Sequence, residues 1–350
     1  MSRLTILLLA ILLLGVALPV CAEEETGTSP AAATGSAVES SEAEAGEAAA
    51  EGPGFVDSAH EKISSGVLGT ARWLDSFFAD PRYENEKTET RIRVRFSLFS
   101  EKDSAAEYDA RVNLRLDLPV LEDRLHLLIG GAPEDEEDDD FQALTGREGE
   151  KPELATSDED FSTSLRYFLK RSVLRNISLR GGVKWRNGLP TFFLEPRYRQ
   201  SVPLDPWLFR FTQRVFGFTD GRTGARTTFD FERELSKTLF FRTTADGSWS
   251  SDEDGYFYSL SFALYKRYSA RRVLVYSWAN SFHTRPDHRL DTVVLSARYR
   301  QRIFRDWLFY EVVPQIAFSE ERDYQATPGI LLRLEVLFGY YPKIPPPPTD

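Results

Sequence analysis

Four histidines, one cysteine and a large stock of arginine bound the chemistry open to this chain. A serine nucleophile activated by histidine along one extended strand needs the two side chains on the same face, and so the spacing His-x-Ser. None of His60, His126, His283 and His288 has that spacing, and each reads as an ordinary loop, helix or wall residue. The single cysteine, Cys21, falls inside the apolar N-terminal stretch, so no disulfide or thiolate metal site can be built beyond it. The seven consecutive acids from Glu134 to Asp140 offer hard oxygen ligands but lack the interleaved glycine and spaced aspartates of a shaped calcium loop. That run reads as a solvated, self-repelling surface loop. No metal site and no cofactor are expected.

What remains is a set of charged rows. Arg91, Arg93, Arg95, Arg111, Arg115, Arg180, Arg197, Arg199, Arg210, Arg214, Arg242, Arg298, Arg300 and Arg333 recur at every second position of alternating segments. Glu195, Asp230, Glu232, Asp246, Glu311 and Glu335 lie on the same face. Rows of arginine lining a pore attract anions, whereas arginines opposite carboxylates brace and close it. Arginines outnumber acids in these rows, so both roles are expected to coexist. The basic residues alternate along strands rather than cluster in one patch, which argues against nucleic acid.

The elements that carry the rows follow from periodicity. Residues 1–22 begin with Arg3, run apolar from Leu4 to Val20 and end Val-Cys-Ala, the pattern of a secretory signal peptide cleaved after Ala22. Residues 23–55 hold eight glutamates, no lysine or arginine and little large apolar matter, and are expected to be a disordered linker. This linker and the acidic run 134–140 account for the formal net charge of −11, and the rest of the chain is slightly basic. In residues 56–80, Val56, Ile63, Val67, Ala71, Leu74 and Phe78 recur at helical spacing, predicting an amphipathic helix that stops at Asp80-Pro81. Such a helix can plug a barrel, lie on a membrane leaflet or serve stability alone.

From residue 85 to 341 the period is two. Ile92, Val94, Phe96 and Leu98 alternate with Arg91, Arg93, Arg95 and Ser97, and the closing segment sets Ile330, Leu332, Leu334, Val336, Phe338 and Tyr340 around Arg333 and Glu335. Fourteen such segments can be counted, with twelve as the fallback, and many are long enough to cross a bilayer at a tilt. Alternation alone cannot say which face is inside. Strand length, an arginine-rich polar face, and aromatics near strand ends such as Trp207, Trp249, Tyr256, Trp307 and Tyr341 all favour an antiparallel transmembrane β-barrel. Connections alternate between short turns, as at Pro203-Leu204-Asp205, and longer loops, the longest being 133–158. Residues 342–350 form a proline-rich tail.

The signal peptide, the amphipathic strands, the unequal loops and the aromatic last strand together resemble bacterial outer-membrane β-barrel proteins, a porin-like class, over roughly residues 85–341. Trp73-Leu74-Asp75-Ser76-Phe77-Phe78-Ala79-Asp80-Pro81-Arg82-Tyr83, leading into an arginine-rich first strand, is similar to uncharacterised proteins of that kind. The resemblance implies a place in the outer membrane of a Gram-negative cell, in contact with its lipid and lipopolysaccharide, and insertion by the barrel-assembly machinery. It departs from the class in that the aromatic terminus is followed by the proline-rich tail. The expected activity is passive passage of small solutes through the arginine-rich lumen, without catalysis. The alternative is a structural or envelope-assembly barrel closed by ion pairs. A lipid hydrolase is disfavoured by the missing histidine motif.

Overall fold

The computed structural model describes residues 67–78, 90–118, 124–130, 162–172, 174–186, 189–252 and 254–339. The signal-peptide, linker and tail readings, the acidic run 134–140, and Tyr340 and Tyr341 lie outside those residues.

Fourteen strands close into one antiparallel barrel in chain order, with the first strand pairing the last. They are β1 (Arg91–Glu101), β2 (Glu107–Leu118), β3 (Leu125–Gly130), β4 (Ser162–Arg171), β5 (Arg175–Arg186), β6 (Leu189–Leu204) and β7 (Trp207–Phe218). The second half comprises β8 (Thr223–Ser236), β9 (Leu239–Ser250), β10 (Phe257–Ser269), β11 (Arg272–His283), β12 (Arg289–Arg302), β13 (Leu308–Ser319) and β14 (Thr327–Gly339). The ring is completed by the β1–β14 ladder, whose register runs from Arg91 opposite Gly339 to Glu101 opposite Gly329.

The predicted segments match these strands closely, with small corrections at the ends. β13 begins at Leu308, because the amide of Ile303 donates to the Leu308 carbonyl and residues 304–307 form the turn. β6 runs on to Leu204, into the turn expected at Pro203-Leu204-Asp205, since its ladder with β7 continues to Leu204 opposite Trp207.

The alternation resolves into an inside-out protein. Polar and charged residues such as Arg93, Arg180, Glu195, Arg300, Glu311 and Glu335 are buried, while Phe96, Tyr108, Val112, Phe192, Trp278 and Phe338 are exposed. In a soluble sheet protein the apolar face fills the core; here it forms the outer surface. That distribution, together with a ring leaving no strand edge unpaired, is what a hydrocarbon environment demands. The chain is therefore built as a membrane-spanning β-barrel. No described helix is long and apolar enough to cross a membrane, so the crossing is made by strands.

A helix, α1 (67–77), is the one α-helix among the described residues. Of the predicted span 56–80, residues 56–66 and 79–80 lie outside the described residues, and residue 78 is a turn. Val67, Ala71, Trp73, Leu74, Phe77 and Phe78 form one buried cluster with Leu208, Phe240, Ala263, Tyr265, Val273, Val275, Phe309 and Leu337. Those wall residues belong to β7, β9, β10, β11, β13 and β14, and all point inward at the end of the barrel that carries the tightest turns. The helix therefore packs inside the barrel, against the wall at that end. Burying each large apolar side chain contributes about 1.5–3 kcal/mol, which accounts for seating a short helix that would not persist alone in water.

Close backbone approach fixes some positions. A Cβ on Gly224 would fall 2.2 Å from the Phe216 ring and 2.6 Å from the Trp249 carbonyl, whereas one on Gly217 would meet nothing nearer than 3.8 Å. Gly224→Ala is expected to lower stability by about 1–3 kcal/mol through this overpacking. Gly217→Ala should leave it nearly unchanged, and the urea midpoints of the two lipid-folded variants check the contrast.

Candidate functional site

The lumen above α1 is lined by side chains that the strand pleat turns inward, and charge organises it. Asp75 projects from the helix and accepts from Arg242 Nη2 at 2.5 Å and from Arg210 Nη1 at 3.1 Å. Glu232 on β8 engages the same two arginines, with Arg242 Nε at 2.6 Å and Arg210 Nη2 at 3.3 Å. Two carboxylates and two guanidiniums thus close a four-membered ring joining the helix to β7, β8 and β9. All four residues are almost fully buried. In such a setting a lost partner leaves a desolvated charge behind, which is far more costly than the intact pair is stabilising.

A second network ties β12, β13 and β14. Arg300 donates to Glu311 at 2.5 Å and to Glu335 at 2.6 Å, while Glu311 also takes Arg333 at 3.4 Å and lies 3.9 Å from Arg298. The Arg300 guanidinium lies 4.2 Å from the Phe309 ring centroid, and Phe309 meets Phe77 of the helix edge-on at 5.8 Å. Ion pairs and plug are therefore one packed unit. Further along the wall, Arg226 Nε faces both oxygens of Asp246 at 3.0 and 2.9 Å, Thr244 donates to Asp230, and Arg180 reaches Glu195 at 3.5 Å and Ser164 at 3.2 Å.

The register also sets like charges opposite one another. Arg95 pairs Arg111, Arg166 pairs Arg180, and Arg197, Arg214 and Arg226 stand in one row across β6, β7 and β8. Like charges directly opposite on a sheet repel, and Asp109, Glu195 and Asp246 offset part of that cost through their pairs with Arg111, Arg180 and Arg226. The β2–β7 side is the cationic side, and the acids concentrate on β8, β9, β13 and β14.

Every candidate residue whose side chain is described faces the lumen. Arg93, Arg95, Arg180, Arg197, Arg199, Arg210, Arg214, Arg242, Arg298, Arg300, Glu195, Asp230, Glu232, Glu311 and Glu335 are buried there, and Arg111, Arg115, Arg333 and Asp246 are half-buried. The Arg91 side chain lies outside the described ones. Arg166, Lys184 and Arg226 also face inward and were not among the candidates. Asp75 was missed as well. Its signal was a carboxylate within the aromatic run Trp73-Leu74-Asp75-Ser76-Phe77-Phe78, where a charge needs a buried partner.

Three of the histidines lie among the described residues. His126 is buried edge-on to Phe168 at 5.1 Å, and His288 is exposed. His283 lies 3.8 Å from both Asp291 and Glu320, and the nearby Ser281 hydroxyl donates to Asp291 at 3.0 Å. A hydroxyl committed to that carboxylate is not being activated by the imidazole. His60 lies outside the described residues.

No protein-family model and no curated protein sequence matches the chain. Solved structures similar to it are barrels from outer membranes. OprB of Pseudomonas putida, in its high-pH structure, shares 6% identity at a TM-score of 0.47, over 71% of this chain and 94% of that one. The CymD monoaromatic hydrocarbon channel shares 8% at 0.44, over 76% and 93%. The KdgM porin in complex with disordered oligogalacturonate shares 6% at 0.34, over 70% and 99%. These likenesses are remote, and the barrel assignment stands on the strand ladders and surface of the chain itself.

Because Glu311 serves three arginines, Glu311→Gln is expected to destabilise the barrel by about 3–5 kcal/mol. Glu195→Gln, with the single long contact to Arg180, should cost clearly less. Denaturant midpoints of the two variants in matched detergent give the order.

Proposed function

We propose that the protein is an outer-membrane channel for small, preferentially anionic solutes, held closed by α1 in the state described. The observation that carries this reading is the seating of the helix in the tight-turn mouth through Asp75, between Arg210 and Arg242. A helix seated by apolar packing and two ion pairs against a closed ring is a two-position element, and conduction requires that it leave its seat. The excess of arginine on the β2–β7 wall supports anion preference, since fixed positive charge raises the local concentration of anions. No bond is made or broken in this reading.

A second reading, a structural barrel without transport, is favoured by one feature: the Arg300, Glu311 and Glu335 network packs directly on the plug and braces it. The two part on conductance. In planar bilayers the full mature chain is expected to show rare, anion-selective openings, and Asp75→Asn should raise their frequency at least about tenfold, since it removes two buried ion pairs of the seat. Silence in both proteins would favour the structural barrel, and cation selectivity would remove the role given to the arginine wall.

A further inference from the structure

The outward face carries charge in one place. Wherever the pleat points a described strand residue toward the bilayer, charged side chains occur at the tight-turn end of β4, β5, β8, β10 and β11, as Lys170, Arg175, Arg233, Lys266 and Arg272. All are basic. The outward face at the opposite end carries Tyr108, Trp185, Phe192, Trp249, Tyr258 and Phe282, and among the described strand residues it has no charged side chain.

Four of these cations are set against a polar or aromatic neighbour rather than an acid. Arg175 Nε donates to Gln200 at 2.7 Å, and the Tyr198 hydroxyl donates to the same Gln200 oxygen at 3.1 Å. Arg233 lies over the Trp207 ring at 5.4 Å, and its Nε has no hydrogen-bond partner among the described residues. Lys266 Nζ donates to Thr238 at 3.0 Å. Arg272 stands opposite Gln301, which accepts from Tyr299 at 2.6 Å and Tyr310 at 3.1 Å. Long basic side chains at an apolar edge extend their heads to the interface, and here the surrounding hydroxyl, amide and indole groups sit at that level.

We infer that this half-belt from β4 to β13 binds the phosphate groups of anionic phospholipids in the leaflet that surrounds the tight turns. A zwitterionic headgroup brings its own cation, whereas phosphatidylglycerol brings net negative charge to cations that face no carboxylate. Tight turns mark the periplasmic end in barrels of this type, so the leaflet is the phospholipid one rather than the lipopolysaccharide one. The belt would fix the depth of the barrel and hold the hairpins beside the plug.

The test uses the purified mature chain and native mass spectrometry, with phosphatidylglycerol, phosphatidylcholine and lipid A as competing probes. The expected result is retention of phosphatidylglycerol over phosphatidylcholine, with the preference falling about fivefold for each charge removed in Arg175→Gln, Arg233→Gln, Lys266→Gln and Arg272→Gln. The single variants Arg233→Gln and Arg272→Gln are read separately, so a folding failure of the quadruple variant leaves the question answerable. Equal retention of the two phospholipids, an unchanged preference in the variants, or lipid A displacing phosphatidylglycerol at these residues would each overturn the assignment.

Discussion

In hydrocarbon a backbone N–H without a partner has no water to turn to, and the whole architecture follows from that one constraint. It forces β1 onto β14, and the eleven residue pairs from Arg91 to Glu101 that make this ladder leave no open edge. Closure in turn commits alternate residues to opposite solvents. Leu332 and Leu334 must meet lipid because Arg333 and Glu335 meet the interior, and a slip of one residue would reverse both.

The interior then faces its own problem, since a wall of arginines cannot be packed without counter-charge. The chain meets it unevenly. Acids on β8, β9, β13 and β14 neutralise their neighbours and build a dense half, against which α1 docks. On the other half arginine stands opposite arginine. The plug therefore rests on ion pairs at one side and on Phe240, Phe309, Leu208 and Val273 beneath, and closing the mouth and bracing the wall are the same set of contacts.

Much of this was legible in the sequence because the barrel writes a period of two over long stretches. Strand number and most strand ends could be read, since the outward apolar residues from Ile92 to Phe338 had to alternate to stay in lipid. The inward direction of the arginine rows followed once the apolar face was assigned to the membrane. What could not be read was the partner of each arginine, because cross-strand register depends on turn geometry and bulges, such as those between Phe168 and Lys170 or Ser281 and Phe282. The plug was half legible. Its apolar stripe was visible from Val67 to Phe78, but its place depends on Phe240, Phe309 and Leu337, large apolar residues set in an otherwise polar register. Such exceptions look like noise until a second apolar surface is found to cover them.

If α1, seated against β13, closes the lumen, tethering it there must silence the barrel. Phe77 and Phe309, whose rings meet at 5.8 Å, can be replaced with cysteines in the mature chain and joined by a short bifunctional methanethiosulfonate, a linker that reductant cleaves. Conductance would be recorded in planar bilayers before and after reduction. The tethered protein is expected to stay silent, and reductant to restore openings. Steady conduction through the tethered protein would contradict closure by α1.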